Sequence, residues 1–126
     1  MEIDYFRVPS LKGDIKIPFA FIVRFEANER YSIVHTISGQ QIVHCCHLNA
    51  VEKQLKHRKI FFRISKSNII NTELVVNSGY LTYMKRHYVY LHNWCGIAFI
   101  SRRKEKSFFH FAKKRKIPFR AFSYEN

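Results

Sequence analysis

Ile60-Phe61-Phe62-Arg63-Ile64-Ser65-Lys66-Ser67-Asn68-Ile69-Ile70-Asn71 opens as an alternating apolar segment and runs straight into hydroxyl, amide and cationic side chains. The alternation reads as a buried strand. A second stretch, Ile97-Ala98-Phe99-Ile100-Ser101-Arg102-Arg103-Lys104, repeats the design. A rigid sheet holding such a cluster at a strand's end would present it at the rim of the protein. There, hydroxyls and amides take phosphate oxygens, Arg63 and Lys66 neutralise charge, and a long tip side chain reaches a base edge. The plainer reading of Arg63, Ser65, Lys66, Ser67 and Asn68 is a polar strand end leading into a turn, with Asn68 and Asn71 as turn formers.

Outward from these stretches, short β-branched and aromatic runs alternate with polar breaks, which predicts strands over 19–25, 31–37, 41–44, 61–64, 74–76, 80–84, 88–91 and 97–100. Ser38-Gly39 marks a tight turn between the second and third. Two segments carry helical spacing instead. In 48–57, Leu48, Val51 and Leu55 share a face and Asn49 is the expected cap. In 102–116, Phe108, Phe111 and Ala112 share a face opposite a dense run of lysines, with Ser101 as the expected cap. So much positive charge weakens that helix unless something anionic lies beside it. The expected architecture is mainly β: an elongated set of small antiparallel sheets, one short internal helix and a basic C-terminal helix. Without a linker, repeat or low-complexity tract, residues 1–126 read as one domain, with its core over about 18–113 and a short apolar tail over 117–126.

Twenty-two Lys and Arg against nine Asp and Glu leave a formal charge of +13 in 126 residues. Such a surface attracts polyanions and repels its own copies at low salt. Nucleic acid is the first partner this suggests. The opening run of Ser101-Arg102-Arg103-Lys104 adds helix N–H groups that favour an anion, and arginine pairs bidentately with guanine. In Ala27-Asn28-Glu29-Arg30-Tyr31-Ser32, Asn28 and Arg30 would meet the nucleic-acid backbone and Ser32 a base, although Glu29 repels phosphate. Further basic groups at Lys53, Lys56, His57, Arg58 and Lys59, and at Lys85, Arg86 and His87, also fit a plain solubility role.

Enzymatic readings find little support. The acidic residues are scattered, without the carboxylate cluster that holds Mg²⁺ for phosphodiester cleavage, and neither a triad nor a glycine-rich phosphate loop is spaced out. His44-Cys45-Cys46-His47 contains four ligand types, but consecutive side chains of a strand or helix cannot converge on one ion, and Cys95 has no CxxC partner. No metal or cofactor is expected, and a binder is favoured over an enzyme. Three cysteines, two of them adjacent, give no disulfide framework; with no signal-like start and no long apolar run, the expected setting is cytoplasmic and away from membrane.

Four elements together resemble the LytTR-type DNA-binding domain of bacterial transcriptional regulators. They are Phe25-Glu26-Ala27, Arg30-Tyr31-Ser32, Phe61-Phe62-Arg63-Ile64-Ser65-Lys66-Ser67 with Asn71, and Ile100-Ser101-Arg102-Arg103. Their order and spacing agree with the family from about Pro18 to Lys113. The resemblance implies loops entering successive major grooves on one face of duplex DNA. It would place Ser32, Lys66 and Arg103 at base edges and Arg63, Ser65, Ser67, Ser101 and Arg102 near phosphates, with Lys104 beside them. The chain departs from the family in the first loop, where Glu29 lies in the region of the usual glycine. Ser65 stands where histidine is common, and His92-Asn93-Trp94-Cys95-Gly96 replaces a tighter turn; these two differences imply an altered target sequence. The implied function is a transcription regulator, monomeric in solution and paired on directly repeated duplex sites, with a protein partner or ligand controlling it. Two alternatives remain open: a general binder of single strands or RNA that stacks bases on exposed Tyr and Phe, and a basic module that docks an acidic protein.

Overall fold

The computed structural model describes residues 5–92 and 96–117. Its central layer is a five-stranded antiparallel sheet. The strands are β3 (Ile22–Asn28), β4 (Tyr31–Thr36), β5 (Gln41–His44), β6 (Phe61–Arg63) and β7 (Asn68–Asn71), in the order β5-β4-β3-β7-β6. A hairpin of β1 (Tyr5–Val8) and β2 (Ile15–Pro18) packs on one face with α1 (Leu48–Gln54). On the other face lie a three-stranded antiparallel sheet and α2 (Arg102–Arg115). The strands of that sheet are β8 (Val75–Leu81), β9 (Arg86–Leu91) and β10 (Ile97–Phe99), in the order β10-β9-β8.

Two cores result, and neighbouring residues of the middle strands serve different ones. Ile22, Phe25, Phe61 and Ile69 join Phe6, Val34 and Val51 in the first. Val23 and Ile70 join Ile64, Val89, Ile100 and Phe108 in the second. Covering both sheet faces explains why Ile69-Ile70 and Ile22-Val23 are apolar without alternation. The second core closes through a buried link, His87 Nδ1 to Glu105 Oε2 at 2.6 Å, which ties β9 to α2. At the end of α2, Lys116 takes a left-handed φ of 55°, and Ile117 N–H reaches back to the Ala112 carbonyl at 2.9 Å. This is a Schellman closure with lysine in glycine's usual place.

The mainly β architecture with two helices agrees with the sequence reading, and β5 has the expected bounds. Several boundaries differ. The run 19–25 is not strand throughout: after Pro18 ends β2, Phe19–Phe21 form a 3-10 turn and β3 begins only at Ile22. Parts of runs 74–76 and 80–84 join in one strand, Val75–Leu81, because Asn77, Ser78 and Gly79 stay in register opposite β9 despite a bulge near Val75; Leu74 belongs to a 3-10 turn and residues 82–84 to the turn before β9. The β1–β2 hairpin was not expected, and Asn68 lies in β7 instead of a turn. Asn71 ends β7 and, as expected of a turn former, caps the 3-10 turn Thr72–Leu74, its Oδ1 accepting from Glu73 N–H at 3.0 Å. Asn71 is buried, and its amide donates to the Ile22 carbonyl at 2.9 Å, a bond across 49 positions that no local pattern reveals. Helix α1 stops at Gln54 and is capped by His47, whose Nδ1 accepts from Ala50 N–H at 3.3 Å; Asn49 lies inside it. The expectations for Asn93, Trp94 and Cys95, and for the tail beyond Ile117, lie outside the described residues.

Candidate nucleic-acid interface

Three segments far apart in sequence meet at one edge of the central sheet. The two-residue turn Glu29-Arg30 joins β3 to β4. Residues 64–67 join β6 to β7, and residues 100–101 lead from β10 into α2. Ala27 N–H donates to the Ser67 carbonyl at 2.8 Å, fastening the first segment to the second. Ser101 N–H donates to the Ile64 carbonyl at 2.8 Å, fastening the second to the third. Ile64 and Ile100 are fully buried, so both polar clusters hang directly from the second core.

Lys66, Ser67, Arg102, Arg103, Asn28 and Arg30 are exposed along this edge, while Ser65, Ser101 and Lys104 are partly covered. Ser65 Oγ accepts from Ser67 N–H at 3.2 Å and shapes the loop. Ser101 occupies the cap position of α2 without a side-chain cap bond. Arg102 reaches the Met84 carbonyl at 3.4 Å, and its neighbour Arg103 is exposed.

Ser32 requires a correction. It is fully buried, and its hydroxyl donates to the Cys46 carbonyl at 2.7 Å, so it braces the segment before α1 and is not open to a base edge. It sits in β4 directly opposite Ala27, on the face that packs toward the first core. Arg63 also differs from its expected place near a phosphate. Its side chain is 13% exposed, and its guanidinium donates to the carbonyls of Ser65 (3.1 Å) and Lys66 (2.8 Å), to Asn49 Oδ1 (2.5 Å) and to Glu52 Oε1 (2.9 Å). A rigid five-donor fork suits this task. Arg63 thus holds the loop that carries Lys66 against α1.

Sequence reading missed a second support. Arg24 is buried in β3, donates to Asn68 Oδ1 and lies 3.5 Å from Glu26, whose Oε1 is also 2.9 Å from His35 Nε2. Burial lowers the Arg24 pKa, opposed by the Glu26 charge. Burial likewise lowers that of His35, opposed by its bond to Glu26. The signal in the sequence was an arginine inside an otherwise apolar strand, a placement rare without partners. Beside the edge, a groove is lined by the cations Lys56, Arg58, Lys59 and Lys104, by the Arg63–Glu52 pair and by apolar Leu55, Phe61, Phe62 and Phe111.

Among the described residues, no three His, Cys, Asp or Glu side chains gather as metal ligands, and no helix is long and apolar enough to cross a membrane. What the edge offers is cations and hydroxyls on a braced frame, a chemistry suited to phosphates and base edges.

The family model for the LytTr DNA-binding domain matches residues 12–113. Among solved structures, the chain is similar to one described as the LytTr DNA-binding domain assigned to a methyl-accepting/DNA response regulator from Bacillus cereus. The TM-score is 0.69 at 17% identity, covering 86% of this chain and 95% of that one. Comparison with curated proteins gives no match. The family match spans most of the chain and includes all three segments of the edge, and the chain belongs to the LytTR DNA-binding domain family.

Proposed function

We propose that this DNA-binding domain is a sequence-specific transcription regulator that reads the major grooves of duplex DNA through loops. The observation that carries the reading is the fastening of Ala27 to Ser67 and of Ile64 to Ser101, which joins three polar segments into one edge. Lys66 and Arg103, both exposed there, face base edges. Asn28, Arg30, Ser65, Ser67, Ser101, Arg102 and Lys104 lie along the phosphates. Arg63 acts through the loop it holds. The chain is a monomer in solution, and two copies occupy directly repeated sites. Its setting is cytoplasmic, and a partner protein or ligand sets its activity.

Selection from a random duplex library at about 150 mM salt, where charge alone no longer dominates retention, tests the reading. The expected product is one short motif repeated at about a helical turn's spacing. Arg103→Ala and Lys66→Ala should each cost about 1–3 kcal/mol and relax preference at defined base pairs. Recovery of no motif, with binding that fades uniformly as salt rises, would overturn sequence-specific recognition.

A further inference from the structure

The sheet β8-β9-β10 covers the second core with one face and leaves its other face unpartnered among the described residues. Cross-strand pairing sets three rows on that outer face: Leu81 with Arg86; Gly79, Tyr88 and Phe99; and Asn77, Tyr90 and Ile97. Their inward neighbours Val89, Ala98 and His87 are buried, whereas Tyr90 is 42% exposed and Arg86, Tyr88 and Phe99 are partly exposed. Gly79 gives Tyr88 its position. A Cβ at residue 79 would stand 2.2 Å from the Tyr88 hydroxyl and 2.3 Å from Cζ, so the ring crosses the sheet only because that side chain is missing. Tyr90 meets Tyr88 edge-on at 5.8 Å, and the Arg86 guanidinium lies 5.1 Å from the centre of the Phe99 ring. No carboxylate occurs in β8, β9 or β10, while Lys85 and Arg86 frame one end.

We infer that this face is a second nucleic-acid site, a stacking platform for single-stranded DNA, separate from the duplex-reading edge. Aromatic rings in a basic frame accept successive bases regardless of sequence, and the nearby cations take the phosphates. A second copy of the chain is disfavoured as the occupant by the repulsion between two charges of +13. The choice of DNA rests on the duplex-binding reading. Phe99 ends the platform two residues before Ser101, so a strand peeled from a bound duplex lies within reach. Stacking on Tyr88 and Tyr90 does not depend on that reading.

The test is fluorescence anisotropy of labelled oligo(dT) of about 12 nucleotides with the full chain at about 150 mM salt. Tyr88→Ala and Tyr90→Ala should each weaken oligo(dT) binding by at least about fivefold and Tyr90→Phe should leave it unchanged, because a phenyl ring still stacks. Gly79→Ala, which pushes Tyr88 off the sheet, should weaken it as well. Duplex affinity of the same variants should stay near the parent's, which also shows that they fold. Lys66→Ala should lose duplex affinity and keep oligo(dT) affinity. The proposal is overturned if the parent does not bind oligo(dT), or if only Lys66→Ala weakens that binding. Markedly tighter binding to oligo(rU) would overturn the assignment to DNA. Concentration-dependent self-association abolished by Tyr90→Ala would give the face to a second copy instead.

Discussion

At the scale of single residues, Arg63 shows how a side chain can shape an exposed loop from beneath it. It bonds two loop carbonyls and two groups of α1 at once. Arg63→Lys keeps the charge but loses the fork, and should cost about 1.5–3 kcal/mol in folding, the range for hydrogen bonds to charged groups. Duplex affinity should fall while its salt dependence stays unchanged, as measured by titration at several ionic strengths. In Arg63→Ala, which removes the charge, a slope flattened by about 0.9 would instead mark Arg63 as a phosphate contact. Buried histidines give a pH prediction. His44 has its Nε2 3.4 Å from Gln54 and its ring edge-to-face with Phe6, and burial holds its pKa below the ordinary 6.5, as it does for His35. Both rings stay neutral in the fold below the pH at which the unfolded chain has already taken up protons. Their contribution is therefore fully present above 6.5 and is lost as pH falls through the lowered folded values. Thermal unfolding followed from pH 7 toward 5 should show a falling Tm, with a shallower fall in His44→Phe. Parallel curves for the two proteins would refute a role for His44.

Turns and helices carry the next set of predictions. Glu29 opens the β3–β4 turn at a φ of 57°, a left-handed conformation that strains a residue with a Cβ, and it is exposed on the edge proposed to meet DNA. Glu29→Gly should raise stability by up to about 1 kcal/mol, since relief of the left-handed strain outweighs the added freedom of the unfolded chain. It should also strengthen duplex binding by removing a repelled charge. Unfolding curves and duplex titration check both effects, and lower stability would mean that Glu29 makes a compensating contact in the fold. Helix α2 begins with Arg102, Arg103 and Lys104, at the end where the macrodipole favours anions, so packing must hold it in the free protein. The bond between Glu105 and His87 is part of that hold. Glu105→Ala leaves the buried His87 without this partner and should destabilise the fold by about 1–3 kcal/mol. Amide exchange in α2 should accelerate first, and unchanged protection there would show that apolar packing of Phe108 and Ala112 suffices.

For the whole molecule, the question is whether +13 acts as a diffuse field or through placed contacts. With Arg30, Arg102 and Lys104 each neutralising one phosphate, log affinity against log salt should have a slope near −3 per copy, and Arg102→Ala should flatten it by about 0.9. A much steeper slope, indifferent to that substitution, would favour the diffuse field. The sequence alone determined the mainly β class, the basic final helix, the polycationic character and the two strand ends that carry polar clusters. All of these follow from periodicity, turn residues and charge, which act between near neighbours. Only the tertiary structure decided that Asn68-Ile69-Ile70-Asn71 is a middle strand, that Ser32 is buried, that Arg63 braces the 64–67 loop and that Arg24 holds the start of β7. It also decided that the 64–67 loop and the start of α2 adjoin. The physical reason is common to these cases: each depends on a partner supplied by a distant segment, and whether a serine faces water or an arginine finds acceptors is settled only when those segments pack together.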